Sequence, residues 1–419
     1  MTFEELIRKC MVSFREQQRI KRKYQDYYEG EHDITKNYAL NESRSNMVVV
    51  VNFFKKFVQD EVAYALGNQI SYASVEDNDE ALDLIENDFS YWERLHNQRL
   101  ALEGIKFGES YELKYIDENK DFKCTALTPL EMFIVEEGNV EKKVKLALHV
   151  YKPDMFSSKE YVDVYKDNKV FTYELSAGDD LTYKSEKTIN FKSPPIRKFR
   201  ANFEATSLLD DIKAQNDAYN NVLSDLINEV SDFRQALLKV VGAQEMSEEQ
   251  VQKMKKKGII YIPTGADVDY LIKELNDTFV QNLLNTIEDK LYKQASHIDT
   301  NEKLQSNLSA SALRSRMISL ENKCIMLQSM MEEVIKTRLK DYFDFVKKRT
   351  KVLYNFKKIK IKQTMNIPAD ILMLADAFSK LKDHVSQETI LGQLPFVDNP
   401  KIELEKWFKE KERKKELGL

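Results

Sequence analysis

Glycine and proline are scarce in this chain, eleven and eight in 419 residues. So little punctuation argues against many short turns and for long elements. Cysteine is scarcer still. Cys10, Cys124 and Cys324 are odd in number and far apart, so they supply neither a disulfide framework nor a metal-ligand spacing, and a reducing compartment is expected. No apolar run approaches the ~18–20 residues of a membrane span. The most apolar short run, MVVVVNFF at 47–54, is broken by Asn52 and followed by Lys55 and Lys56. The opening MTFEELIRKC has no signal-peptide core, so the expected product is soluble and intracellular, with no membrane partner. Charge of one sign is lacking too. Charged residues make up 32%, yet 64 basic and 69 acidic side chains nearly cancel to −5, which excludes a generic polyanion binder.

Enzyme signatures are also missing. There is no P-loop, no GxGxxG after a strand, no HExxH and no GxSxG. His32, His96, His149, His297 and His384 are scattered and read as surface or core histidines. Asp210–Asp211 and Asp179–Asp180 are adjacent carboxylates that would serve a Mg²⁺ nuclease, but neighbours on a helix point to different sides and fit a charged face better.

What is present is periodicity. Residues 3–28 read as a helix stopped by Gly30, with Arg19, Lys21, Arg22 and Lys23 as a phosphate patch or, more simply, a solvated face. Phe53, Phe57, Val58, Val62 and Leu66 share one face of a second helix, capped by Gly67, with ISY entering a strand. A third helix is expected over 81–108. From 110 to 183 short alternating runs separated by DENKD, EEGN, KPD and KDN predict an antiparallel meander, left by the rigid FKSPPIRKF. Leu208, Ile212, Tyr219, Leu223, Leu226, Val230 and Phe233 then stripe a helix whose other face is acidic. A small insert of strand-like runs around SEEQVQKMKKKG follows, and a helix resumes at Phe279, Leu283, Ile287 and Leu291. After the polar DTNEKLQSNLSASAL at 299–313 comes the most regular run: Leu313, Met317, Leu320, Cys324, Leu327, Met331 and Val334, at spacings of four and three. A strand-like IKIKQTMNI and a helical tail close the chain. The class is α+β, predominantly helical.

The ordered set YYEGEHDI (27–34), NFFKKFVQDEVAYALGNQISY (52–72), DAYNNVLSDLINEVSDFRQALLKVVG (217–242), SNLSASALRSRMISLENKC (306–324) and LGQLPFVDNPKIELEKW (391–407) resembles the SPP1-like portal family of Gram-positive siphophages, over nearly the whole chain. Ala310 departs from the glycine many relatives carry there, which stiffens the position. The resemblance implies a portal fold assembled into a ring, with a wing over 1–200, a stem helix over 201–235 and a clip over 236–278. A second stem helix covers 279–298, a tunnel loop 299–311, the long helix and its return strand 312–366, and a helical crown 367–419. It implies a dodecameric homo-oligomer at a capsid vertex of the virion, assembled in host cytoplasm, through which double-stranded DNA is packaged and ejected. The implied partners are the terminase large subunit, a head-tail connector or adaptor, and major capsid and scaffolding proteins; no catalysis, cofactor or metal is implied. The site residues it implies are Asp299, Asn301, Glu302, Lys303, Gln305, Ser306, Asn307 and Ser309 in the tunnel loop. Asp210, Asp217, Asp225, Glu229 and Asp232 line the stem side of the channel, and Glu248, Glu249, Lys253, Lys256 and Tyr261 meet partners at the clip. Two rival readings stand beside it. A coiled-coil scaffold or tail structural protein explains the rod at 313–345 but not the meander. A DNA-processing enzyme would have to assemble its carboxylates from distant segments.

Overall fold

In the computed structural model, residues 2–38, 45–76, 78–176, 180–233, 237–241, 249, 267–271, 277–299, 310–366, 376, 378–380, 384–391, 394, 397 and 400–416 are described. Two compact units emerge: Met1–Gln25 with Lys55–Asp210 and Lys303–Leu419, and Asp26–Phe54 with Asp211–Glu302.

The first unit opens on helix α1 (Phe3–Glu29). Thr2 and Glu5 start it as a reciprocal capping box: the Thr2 amide donates to Glu5 Oε2 at 2.8 Å, and the Glu5 amide donates to Thr2 Oγ1 at 3.2 Å. Gly30, at φ +97°, ends it as expected, in the left-handed region that glycine adopts without penalty. The meander forms, but as two antiparallel sheets. Strands β2 (Glu109–Ile116), β3 (Phe122–Leu127) and β9 (Ile196–Arg200) take the order β3-β2-β9. Strands β4 (Met132–Glu136), β5 (Val144–Tyr151), β6 (Glu160–Lys166), β7 (Lys169–Ser176) and β8 (Asp180–Thr188) run in sequence order. The stretch after Pro194 and Pro195 is thus more than an exit, because β9 returns to pair with β2. Alternate residues of the larger sheet, Leu146 and Leu148, Val162 and Val164, Tyr173 and Leu175, face Ile7, Cys10, Met11 and Phe14 of α1. That is period two meeting period 3.6, the ordinary way a helix covers a sheet.

The single helix expected over 81–108 is two. Helix α4 (Asp79–Phe89) starts on Asn78, whose side chain accepts from the Ala81 amide, and α5 (Glu93–Phe107) begins after a turn at 90–92. Phe89 is buried against the Trp92 ring at 5.2 Å, so the turn is held by an aromatic contact that periodicity does not register. Gly108 closes α5 at φ +87°, where an added Cβ would lie 2.2 Å from the Ala205 carbonyl oxygen. Helix α3 (Phe53–Leu66) leads into β1 (Ser71–Ser74), which pairs with the distant β12 (Ile359–Lys362).

The long periodic run is helix α8 (Ala310–Thr350), 41 residues and about 62 Å at ~1.5 Å per residue. It buries Leu320, Cys324, Leu327, Met331 and Val334, as the pattern requires. Four residues on, the same stripe delivers a charge instead of a hydrophobe, because Arg338 is fully buried. Its Nη1 donates to Glu93 Oε1 at 2.7 Å, its Nε and Nη2 both donate to Glu112 Oε2, and Nη2 also reaches Asn97 Oδ1 at 2.7 Å. Tyr72 Oη donates to Glu93, and His96 Nε2 lies 2.9 Å from Glu112 Oε2. One guanidinium therefore ties α8 to α5 and β2, and through Tyr72 to β1. Burial pushes the Glu112 carboxyl up, but Arg338 and then the His96 hydrogen bond outweigh it and hold it well below the ordinary carboxylate range. Burial wins at Glu93, whose carboxyl is raised.

Arg338→Met leaves two buried carboxylates without their cation and should cost about 3–5 kcal/mol, read as a fall in the urea midpoint at pH 7. The loss should shrink at pH 5. In the native protein the Glu112 contribution is complete above its unfolded value of about 4.3 and is lost only as pH falls through the lower folded value, so pH 5 leaves it intact. In the variant the deserted carboxylates are raised by burial and take up protons as pH falls. An equal loss at both pH values would mean that packing, not charge, is what Arg338 supplies.

Candidate functional site

The acidic helix falls where the sequence puts it, as α6 (Leu208–Phe233). Its apolar stripe, however, is not its most buried face beyond Ile212. Leu223 and Leu226 are half-buried and Val230 is exposed, while Asn216, Asn220, Ser224 and Asn228 are buried. Four-residue spacing lines these small polar side chains up on one side, and they hold an extended backbone at 47–51. Asn228 Oδ1 accepts from the Met47 amide at 2.7 Å, and its Nδ2 donates to the Met47 carbonyl at 2.9 Å. Ser224 Oγ accepts from the Val49 amide at 3.0 Å, and Asn220 Oδ1 from the Val51 amide at 2.9 Å. Asn216 Nδ2 donates to the Val51 carbonyl at 2.9 Å. The match is geometric: four helical residues rise about 6.0 Å and two extended residues about 6.6–6.8 Å. The helix side chains do the work of a neighbouring strand, so MVVVV runs extended without a sheet.

Tyrosines hold the carboxylates on the flanking face. Tyr24 Oη donates to both oxygens of Asp210, at 3.0 and 2.9 Å, with Lys23 Nζ 3.7 Å away. Tyr27 Oη donates to Asp217 at 3.0 and 3.1 Å, and Lys213 Nζ reaches Asp217 at 2.7 Å and Asp33 at 2.6 Å. Tyr38 Oη donates to Asp225 at 2.7 Å. Burial pushes the Tyr27 hydroxyl up to about 12, and the Lys213 hydrogen bond holds Asp33 below its usual range. Stacked on Tyr27 at 4.5 Å, His32 is a core histidine whose Nδ1 lies 3.1 Å from Asn220 Nδ2. Asp210, Asp217 and Asp225, expected along the stem, are thus engaged within the chain. Glu229 is half-buried, and the Asp232 side chain lies outside the described residues.

Helix α7 (Asp277–Ala295) ends before Asp299, which is half-buried; burial and then the Asp299 charge raise the Glu288 carboxyl. Asn301, Glu302, Lys303, Gln305, Ser306, Asn307 and Ser309 lie outside the described residues, as do Glu248, Lys253, Lys256 and Tyr261; Glu249 is exposed on a helical residue. The insert does contain an antiparallel pair, β10 (Leu237–Val241) with β11 (Asp267–Leu271). The basic run in α1 is mostly committed locally: Arg19 bonds Glu16, Lys21 Nζ donates to the Phe107 carbonyl at 2.6 Å, and Lys23 faces Asp210.

Among the described residues one group has metal-ligating composition. Ligating atoms of His96, Glu112 and Cys124 lie within 4.8 Å of one another. The Glu112 oxygen that His96 meets is the one Arg338 already holds with two donors, and burial keeps the Cys124 thiol up and protonated. The group reads as part of the Arg338 network.

Comparison with known proteins adds the following. A family model described as phage portal protein, SPP1 Gp6-like, matches residues 13–417. The portal protein of Bacillus phage SPP1 is 23% identical over 418 residues, covering 92% of this chain and 79% of that protein. Two solved structures are similar at lower identity. One is the neck of an empty GTA particle computed with C6 symmetry, at 10% identity and TM-score 0.49, covering 82% of this chain and 86% of that one. The other is the neck of a native GTA particle computed with C12 symmetry, at 9% and 0.48, covering 80% and 87%.

Asn220→Ala should leave the half-buried Val51 amide without its acceptor, at a cost of about 1 kcal/mol or more. Hydrogen exchange is expected to speed up at Val51 and Val49 while amides of β5 and β6 stay protected. Unchanged exchange at Val51 would remove the ladder as the restraint on this segment.

Proposed function

The chain belongs to the SPP1 Gp6-like family of phage portal proteins, and on that premise we propose that about a dozen copies close into a ring at one capsid vertex and form the channel for double-stranded DNA. The observation that carries this reading is the extent of the family match, from residue 13 to residue 417. A head-tail connector and the terminase large subunit dock on the ring, with capsid and scaffolding proteins around it, and assembly takes place in the host cytoplasm. The chain's role is mechanical rather than catalytic.

In this reading α6 and α7 are the stem, residues 236–278 the clip, and 299–311 the tunnel loop. Carboxylates along α6 make a surface that repels phosphates and avoids the counterion release that would hold DNA in place. The tyrosines on Asp210, Asp217 and Asp225 donate hydrogen bonds without adding a charge, whereas Lys213 offsets part of the charge at Asp217. The hydroxyls fix the carboxylates in position. In the loop, Ser306 and Ser309 are small enough for copies to crowd a narrow opening, with Ser311 in the first turn of α8, and Lys303 beside Asp299 and Glu302 touches phosphate only weakly.

Native mass spectrometry of the purified chain, with negative-stain images of the same sample, tests the assembly. Rings of about a dozen copies with a central hole are expected. A stable dimer without a ring would instead favour the coiled-coil scaffold built on α8.

A further inference from the structure

Overall charge balance hides one local inversion of sign. Between Asp344 and Asp370 the sequence has no acidic residue and eight basic ones, in a chain whose net charge is −5. Three of them, Lys347, Lys348 and Arg349, sit in the last turn of α8, where cations complement the negative end of the helix dipole. That ordinary role stops at the helix end. The run continues through Lys351, a 3-10 turn at Phe356–Lys358, and β12 with Lys360 and Lys362. Lys336 Nζ donates to the Ile359 carbonyl at 2.5 Å and Gln363 Nε2 to the Gln328 carbonyl at 2.9 Å, so the segment doubles back along α8.

Among the described residues little neutralises the cations at 347–360. Lys347, Lys351, Lys357 and Lys360 are exposed and make no ion pair among the described residues. Lys348 reaches the Asn190 carbonyl, Arg349 the Lys120 carbonyl and the face of the Phe345 ring at 5.4 Å, and Lys358 meets Glu76 at 2.9 Å. Seven of the eight cations are lysines. Carboxylate-recognising protein interfaces favour the forked arginine and are depleted in lysine, whereas a lysine ammonium acts as a point charge suited to phosphate without demanding a geometry. The cations are spread over a helix end, a turn and a strand rather than gathered round a pocket, which suits an extended polyanion better than a small anion.

We propose that the segment Lys347–Lys362 is a sequence-independent binding site for the phosphate backbone of double-stranded DNA, separate from the acidic face of α6. The proposal rests on the portal reading for the presence of DNA beside the chain, and on charge alone for the affinity. Val352 and Leu353, 44% and 68% exposed, give a protein partner a foothold in the same place, and the test separates the two.

The experiment is fluorescence anisotropy of a labelled 30-base-pair duplex titrated with the full chain from 50 to 200 mM KCl. Binding that weakens with salt is expected. Lys351→Glu with Lys357→Glu and Lys360→Glu should weaken it at least tenfold at 50 mM. It should also make the log–log salt slope shallower by about 2.7, at about 0.9 for each phosphate no longer neutralised. Lys409→Glu with Lys411→Glu and Lys414→Glu makes the same change in net charge on helix α10 (Pro400–Glu416) and should leave affinity within twofold. No binding by the unaltered chain, or an equal loss in the α10 variant, overturns the proposal. So does duplex binding lost on Leu353→Ser but kept in the lysine variant. Ring formation is read separately by native mass spectrometry, so a missing ring with the DNA result intact would count against the portal reading alone.

Discussion

A single buried guanidinium organises the first unit. Arg338 lies in the apolar stripe of α8, between Val334 and Tyr342, and is held by Glu93, Glu112 and Asn97 with no exposure to water. A set of hydrophobes in place of Arg338 and both of its carboxylates would pack as well and cost less to bury. What the ion cluster adds is direction. Leucine accepts many orientations of its neighbours, whereas a forked donor between two carboxylates accepts few, and the elements carrying those carboxylates are fixed with it. The turn at 90–92 belongs to the same arrangement, since it aims Glu93, His96 and Asn97 of α5 at α8.

The second unit solves a different problem with the same economy of parts. An extended segment at 45–51 needs partners for its backbone, and no strand pairs with it among the described residues. The Asn and Ser stripe of α6 provides them, residue by alternate residue. The same helix has its carboxylates Asp217 and Asp225 held in place by tyrosines at 27 and 38. One helix therefore supports an extended segment on one side and positioned carboxylates on another.

Local and long-range order differ sharply in how far they can be read from residue types. The helix over 3–28, its stop at Gly30, the alternating strands between 110 and 176 and the stripe of α8 follow from propensity and period, and they form nearly where expected. The division of the meander into two sheets does not follow, because it depends on β9 returning to β2. Nor does the pairing of β1 with β12, some 290 positions away. The spacing Asn216, Asn220, Ser224, Asn228 is visible in the sequence, but it is the spacing of any solvated polar face until a strand is laid against it.

Composition, period and ordered motifs thus determined the class, the long elements, the acidic helix and membership of the portal family, because each rests on neighbours in sequence or on a pattern kept along it. Tertiary structure alone decided what the charges do. Arg338 is distinguished from an exposed arginine only by the carboxylates that α5 and β2 bring to it. Asp210, Asp217 and Asp225 are distinguished from free surface acids by tyrosines about 190 positions earlier and, at Asp217, by Lys213. A charge takes its meaning from what lies within a few ångströms, and for these residues that company is assembled by the fold.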